Sequence, residues 1–483
     1  MSRKIVEIVD GQMANPEYRM ASPINLCVEE GEQVAIVGDN AAGKTRIAEV
    51  LNGHYRLRGA AMHYDFGPDA KHYVSDNVKF ISFRDSYGSA DAGWYFQQRW
   101  NQMDIDPETP TVGQTLQRFL DDAHAEEGTA ERRRFEQLVE MFHLERLMDE
   151  YVITLSSGEL RKFQLTKLLI SMPRMLIIDN PFIGLDFATR CQLSELFETL
   201  VRECGITFVL ILAREEEIPS FITHVIPVKG LDVLPKQPRS EFSAHSDRYA
   251  AVPVVEGASD TDAPEVLRFR NVSIRYGKRT ILKDLNWVVR RGEHWALTGE
   301  NGSGKSTLLS IVCADNPQAY ACDIDLFGRR RGTGESIWDI KKNIGFVSPE
   351  MHRSYCKSLP ALDIVTSGVF DTVGLFRTPT DEQRDACRHW MEVFGIQHLA
   401  ERDFMKLSSG EQRLCLLARA FVKSPALLIL DEPMHGLDDA TRSRVRSIIN
   451  DYCSDTSKTL VMVTHYMDEL PSCIDHSLVL KKN

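Results

Sequence analysis

The chain lacks any apolar run long enough to cross a bilayer. Its longest stretches, such as Phe208-Val-Leu-Ile-Leu-Ala213, fall far short of the roughly 18 residues a spanning helix needs. The opening MSRKIVEIVDG has no apolar core of signal-peptide length, so no targeting segment is expected. None of the ten cysteines forms a CxxC pair. Reduced, packed thiols, with Cys27 and Cys415 in apolar settings, are therefore expected in place of a disulfide frame or metal site. An excess of positive charge is also missing: Lys+Arg 57 stand against Asp+Glu 69, a formal net charge of -12. That weighs against broad non-specific binding to nucleic acid. The remaining composition is ordinary globular, and the expected location is cytoplasmic, with any membrane channel supplied by another polypeptide.

What the chain does contain is one toolkit written twice. The first copy reads Gly38-Asp-Asn-Ala-Ala-Gly43-Lys44-Thr45, then Leu155-Ser156-Ser157-Gly158-Glu159, then Met175-Leu-Ile-Ile-Asp179-Asn180-Pro181. The second reads Gly299-Glu-Asn-Gly-Ser-Gly304-Lys305-Ser306, then Leu407-Ser408-Ser409-Gly410-Glu411, then Leu427-Leu-Ile-Leu-Asp431-Glu432-Pro433. Ser156 and Ser408 stand 252 residues apart, as do Asp179 and Asp431, and Pro219 and Pro471; Lys44 and Lys305 stand 261 apart. A period this long means two domains rather than a solenoid. The expected division is a domain over 1–230, a Pro/Ser-rich linker over 231–264 and a domain over 265–483. A short packed element around Tyr249-Ala-Ala-Val-Pro-Val-Val255 is the alternative within the linker.

Each glycine loop sits between a strand-like and a helix-like run: Gln33-Val-Ala-Ile-Val37 and Arg46-Ile-Ala-Glu-Val-Leu51 in the first copy, Glu293-His-Trp-Ala-Leu-Thr298 and Thr307-Leu-Leu-Ser-Ile-Val312 in the second. That is the setting of a phosphate-binding loop. Around Gly38, Asn40 and Gly43, and around Gly299, Asn301, Gly302 and Gly304, backbone N–H groups can turn toward phosphate oxygens at a helix N-terminus. Lys44 and Lys305 would reach the β- and γ-phosphates, the Thr45 and Ser306 hydroxyls would ligate Mg²⁺, and Thr307 completes the second cradle. Ser408 followed by Glu411 would by itself read as a capping box. The identical 23-residue spacing from each Ser to its Asp argues for a functional signature instead.

These motifs resemble the ATP-binding cassette (ABC) ATPases over nearly the whole chain outside the linker. The resemblance implies an α/β fold: tandem P-loop NTPase domains of the ABC ATPase type, each with a helical subdomain, arranged as an intramolecular head-to-tail pair. It implies ATP on Lys305, Ser306 and Asp431 capped by Ser156 and Gly158, and ATP on Lys44, Thr45 and Asp179 capped by Ser408 and Gly410. Fusion of the cassettes would favour such closure through effective concentration. The resemblance also assigns Glu432 as the base that polarises the attacking water, Asp431 and Asp179 as Mg²⁺ partners, His465 as the histidine near the γ-phosphate and Tyr276 as the aromatic on adenine.

The first copy departs at each catalytic position: Asn180 replaces the glutamate, Ala213 stands opposite His465, and Asn15 stands opposite Tyr276 with Tyr18 nearby. Phosphate binding needs none of these residues, so the first site is expected to hold ATP and hydrolyse it slowly or not at all. Both copies also lack the family's usual glutamine. Glu350 could offer Mg²⁺ an oxygen there; Phe83 could not, and the absence weakens a standard importer assignment.

The stretch from Phe327-Gly-Arg-Arg-Arg-Gly332 to Phe346 resembles a tandem-cassette branch of the family named for molybdate transport, with Arg329 to Arg331 read as a solvated turn in preference to a docking site. Three function classes stay open. The chain is an ATPase subunit energising a separate transmembrane permease at the inner face of the plasma membrane, a soluble ATPase acting on a ribosome or nucleic acid, or a regulatory nucleotide sensor. The acidic charge and the Pro/Ser-rich linker count against the second.

Overall fold

In the computed structural model, the described residues are 2–59, 61–68, 70–82, 109–122, 127–155, 157–182, 185, 187–242, 264–276, 279–355 and 357–482. They form two compact units, the first holding those up to 242 and the second those from 264 onward.

The first unit contains strands β1 (Lys4–Gly11), β2 (Ile24–Glu29), β3 (Val34–Gly38), β4 (Met62–Tyr64), β5 (Val78–Ser82), β6 (Met175–Asp179), β7 (Thr207–Leu212), β8 (His224–Lys229), β9 (Asp232–Val233) and β10 (Gln237–Pro238). An antiparallel sheet runs β2-β1-β4, and a larger one runs β10-β8-β3-β7-β6-β5 with β9 on β8. The second unit repeats the plan with β11 (Glu265–Tyr276), β12 (Arg279–Arg290), β13 (His294–Gly299), β14 (Asp323–Leu326), β15 (Arg329–Arg330), β16 (Ile344–Val347), β17 (Leu427–Asp431), β18 (Thr459–Val463) and β19 (His476–Leu480). Here the orders are β12-β11-β14-β15 and, all parallel, β16-β17-β18-β13-β19. The central parallel strands β6 and β17 carry unbroken apolar runs with essentially no exposure, Met175–Ile178 and Leu427–Leu430, as strands covered on both faces must.

Register makes the two units comparable residue by residue. Val34 lies opposite His224 as Trp295 lies opposite His476. The Asn180 N–H donates to the Ile211 carbonyl and the Glu432 N–H to the Val463 carbonyl, both at 2.8 Å. The offsets of 261 near the phosphate loops and 252 beyond them are thus structural equivalences.

Helices Ala361–Thr366, Asp381–Val393 and Ser409–Phe421 of the second unit close around Met391, Phe394, Phe404 and Phe421. Their counterparts in the first unit are Val112–Asp122, Ala130–Phe142 and Ser157–Leu169. Among the described residues no helix is long and apolar enough to cross a membrane.

The expected linker over 231–264 begins too early. β9 and β10 both pair with β8, Lys236 Nζ bonds Glu32 at 2.6 Å, and the Leu231 carbonyl accepts from the Ala21 N–H. Residues 231–242 therefore complete the first unit's sheet. The missed signal is a short antiparallel return whose two-residue strands leave no readable alternation. The stretch Tyr249–Val255 lies outside the described residues.

Candidate functional site

In both units the strand carrying the first glycine runs straight into the loop, because Gly38 and Gly299 lie against the neighbouring strand. A Cβ at either would collide with the carbonyl oxygen of Val228 or Leu480. The loops close through Gly43 and Gly304, at φ 98° and 100°, and open the helices Lys44–Leu51 and Lys305–Val312. The Lys305 ammonium donates to the carbonyls of Gly299 (2.6 Å) and Glu300 (2.9 Å), and Lys44 makes the matching bonds to Gly38 and Asp39. Asn40, Thr45, Asn301 and Ser306 are half-buried, Gly302 is exposed and Thr307 is buried. One difference is internal to the loops. Gly302 has φ 80°, and its counterpart Ala41 holds the same left-handed region at φ 58°, where a Cβ is crowded.

Past the loop, the second unit gathers carboxylates. Asp431 ends β17 with Glu432 beside it, and Glu350 lies in the first turn of the helix Pro349–Ser354. Burial and the neighbouring charges of Glu350 and Glu432 push Asp431 well above the usual carboxylate range. Glu432 goes the other way. Burial alone would raise it, but hydrogen bonds from His435 and His465 outweigh burial and hold it well below. His435 Nδ1 lies 3.0 Å from one carboxylate oxygen and His465 Nε2 3.2 Å from the other. The turn that presents His465 is fixed by Thr464, whose hydroxyl donates to the buried Glu469 (2.7 Å) and accepts from the Tyr466 N–H (3.1 Å). A buried, ionised carboxylate gripped at both oxygens keeps lone pairs with which to orient and polarise a water.

Sequence reasoning missed two groups here. His435 was not singled out, although it stands three residues after Glu432. Arg413 carries no motif of its own and is not among the residues the sequence points to. Its buried guanidinium donates to the carbonyls of Asp431 (2.9 Å), Ser348 (3.1 Å), Pro433 (3.2 Å) and Glu432. Burial lowers its pKa to about 10 against the pull of Asp431 and Glu432. Arg413 therefore ties the carboxylate turn to the helix that follows the signature.

The first unit builds the same corner with other chemistry. Thr45 Oγ1 donates to Asp179 Oδ2 at 3.0 Å, and Asn180 Nδ2 donates to Asp179 Oδ1 at 2.7 Å. A neutral amide is not basic enough to take a proton from water, and this one is turned toward the neighbouring carboxylate. Ala213 occupies the place of His465, and the counterpart of His435 is Ile183, outside the described residues. Arg161, the counterpart of Arg413, reaches the Pro181 carbonyl.

Among the remaining expected residues, Ser408 forms the capping box with Glu411, bonding its N–H at 3.3 Å and accepted in return at 2.8 Å, and Gly410 is buried in the same helix start. Gly158 lines a cavity of about 440 Å³ with Arg161, Lys162 and Thr189; Ser156 lies outside the described residues, as does Phe83. Tyr276 ends β11 with its hydroxyl accepting from Asn316 Nδ2 at 2.9 Å. Tyr18 stacks on Tyr55, centroids 4.8 Å apart. The arginine run is not one solvated turn: Arg329 and Arg330 are exposed, but Arg331 is buried in an ion pair with Glu335 (2.5 Å) and lies 4.5 Å from the Tyr320 ring centroid.

Residues 21–183 and 282–435 each match the family described as ABC transporter. The chain is similar to the ABC transporter ATP-binding protein ModF of Escherichia coli (strain K12), 35% identical over 98% of this chain and 96% of that protein. It is also similar to an uncharacterised ABC transporter ATP-binding protein of Schizosaccharomyces pombe, 30% identical over 91% of this chain and 90% of that one. Among solved structures, a model of ribosome-bound archaeal Pelota and ABCE1 matches 92% of this chain and 72% of its own, with a TM-score of 0.58 at 17% identity, a likeness of fold.

Proposed function

This chain belongs to the ABC transporter family as a tandem-domain ATPase, and from that premise we propose that its two nucleotide sites do different work. The second site hydrolyses ATP: Lys305, Ser306, Thr307 and the loop N–H groups hold the phosphates, Tyr276 stacks on the base, and Glu432 polarises the attacking water while His465 stands by the γ-phosphate. The first site, with Lys44, Thr45 and Asp179 but no carboxylate at Asn180, holds ATP. The observation that carries this reading is the contrast between Glu432, gripped by two imidazoles, and Asn180, bonded to its own neighbour. Ser306, Asp431 and Glu350 form a crowded all-oxygen donor set that fits a hard divalent cation, and Thr45 with Asp179 forms its counterpart. Mg²⁺ bound there would offset phosphate charge as the terminal bond breaks. Each signature, Ser156 with Gly158 and Ser408 with Gly410, caps the nucleotide of the opposite cassette.

The work is done on a separate transmembrane permease at the inner face of the membrane, with molybdate, carried over from the sequence resemblance, as the cargo. The exposed Ile337 (41%) and Trp338 (57%), beyond the Arg329–Arg331 turn, support a protein partner on that part of the second unit. The test is affinity isolation of the Glu432→Gln protein with ATP, from membrane and soluble fractions separately. A co-purifying permease, with molybdate uptake lost in cells carrying only the variant, is the expected result. Recovery of ribosomes instead would favour the soluble alternative.

A further inference from the structure

The second unit brings together three soft metal ligands at the end of its sheet remote from the phosphate loop. His294 opens β13, Cys453 ends the helix Asp439–Cys453, and Cys473 lies just before β19. An imidazole nitrogen of His294 and the two sulfurs lie within 4.8 Å of one another. His294 and Cys453 are buried and Cys473 is half-buried, and no disulfide joins the thiols. β13 spans six residues from His294 to Gly299, and its five steps of ~3.3 Å separate this cluster from the start of the phosphate loop by about 17 Å.

The imidazole is held as a ligand is held. His294 Nδ1 lies 3.1 Å from the Cys473 carbonyl oxygen, and the His294 backbone N–H donates to Asp475 Oδ1 at 2.9 Å. Nε2 is buried with no hydrogen-bond partner. A bond from one ring nitrogen to a carbonyl fixes the tautomer and leaves the other nitrogen with a bare lone pair, the arrangement that orients histidine toward metals.

The first unit shows that the fold does not require these residues. At the positions of His294, Cys453 and Cys473 it has Gln33, Val201 and Phe221. Gln33 is consumed by the backbone, accepting from the Phe208 N–H at 2.7 Å and donating to the Ile206 carbonyl. Phe221 packs edge-on against Phe197 and Phe208. An amide and an aromatic cluster close this corner in one repeat; two thiols and an imidazole occupy it in the other.

We propose that Cys453, Cys473 and His294 form a structural site for Zn²⁺, with water or the nearby Asp475 carboxylate as fourth ligand. Two sulfurs and one imidazole are the donor set Zn²⁺ prefers over Mg²⁺ or Ca²⁺. Binding releases two thiol protons to solvent and leaves two thiolates on the ion, with no change of oxidation state. The ion ties the end of the helix Asp439–Cys453 to the start of β13 and the approach to β19.

The test uses the full-length protein, reduced, dialysed against chelator and free of nucleotide, titrated with Co²⁺ and then Zn²⁺. One equivalent of Co²⁺ is expected to give thiolate-to-cobalt charge-transfer absorption and strong tetrahedral bands, which Zn²⁺ abolishes. Ions at the oxygen-lined nucleotide sites give no such charge transfer. His294→Gln, Cys453→Val and Cys473→Ser should each weaken this binding at least tenfold. As a second readout on the unmutated protein, Zn²⁺ should shield two thiols from a thiol reagent and raise the melting temperature. Absence of the charge-transfer band in the unmutated protein, its persistence in the Cys453→Val, Cys473→Ser double variant, or a Cys453–Cys473 disulfide in protein isolated without added oxidant and resistant to mild reductant would each overturn the proposal.

Discussion

Glu432→Gln is the most informative single change, because it replaces one oxygen by an NH₂ group and keeps the shape. In the structure the carboxylate accepts from His435 at 3.0 Å and from His465 at 3.2 Å. Glutamine can satisfy one imidazole through its oxygen but turns an NH₂ toward the other, and it cannot take a proton. Loss of a positioned general base costs about 10² to 10⁴ in rate, which is roughly 3–5 kcal/mol of barrier. Phosphate release at saturating Mg²⁺-ATP should fall by that factor, while ATP binding stays intact and closed protein accumulates. Asn180→Asp, measured alongside, should change turnover less than about twofold, since no base is lost. His435→Ala and His465→Ala should fall between, each removing one charge-assisted bond of about 1.5–3 kcal/mol from the carboxylate. If Glu432→Gln keeps more than about a tenth of the rate, or if Asn180→Asp costs as much, the assignment of hydrolysis to the second site is wrong.

Four further outcomes follow from the same geometry. Arg413→Ala strands four carbonyls around the carboxylate turn and should cost about 3 kcal/mol or more in urea unfolding, with hydrolysis lost even below the transition. Ala41→Gly relieves a left-handed alanine worth ~1–2 kcal/mol, offset by ~0.4–1 kcal/mol of unfolded-chain entropy; stability in urea unfolding should hold or rise by up to about 1.5 kcal/mol, and a fall would contradict the strain. Asn180→Glu should fail to restore hydrolysis in a Glu432→Gln protein, because Ala213 offers the new carboxylate no imidazole; recovered turnover would show that the histidine grip is dispensable. If each signature acts on the opposite nucleotide, as the family resemblance implies, Ser156→Arg should damage turnover more than Ser408→Arg; equal damage in steady-state assays would count against trans capping or against the asymmetry.

How much of this was legible in the sequence depended on how local the signal was. Phosphate loops, signatures and the two aspartates announce themselves because their chemistry needs fixed residues within a few positions, and the 252-residue offset survives as a backbone equivalence. The partners of Glu432 were only half legible. His465 follows a buried strand, but His435 looks like any loop histidine until the turn at Glu432 folds it back. Arg413 was invisible for a different reason. Nothing in a helical sequence tells a solvated arginine from one buried against carbonyls 18 to 65 residues away. The same holds for Arg331, read as solvated and found buried against Glu335, and for His294, which nothing in the sequence brings to Cys453 and Cys473, two of the cysteines expected to be reduced and packed. Contacts at long sequence separation are set by strand order, and strand order is what periodicity does not encode.

The backbone at the two carboxylate turns gives the asymmetry a physical direction. Asn180 and Glu432 both sit in the left-handed region, at φ 52° and 48°. Asparagine visits that region readily; glutamate does so at a cost of about 1–2 kcal/mol. The second unit therefore carries strain to place a carboxylate there and offsets it with the Val463 hydrogen bond, the Arg413 clamp and two histidines. Replacing that carboxylate by asparagine releases the strain, and an unneeded His465 can then become Ala213 without leaving a buried charge unpaired. The first unit nonetheless keeps Lys44 and the Thr45–Asp179 bond. A unit that lacks the groups to activate water, yet keeps those that grip phosphate, fits the nucleotide-holding role proposed for the first site.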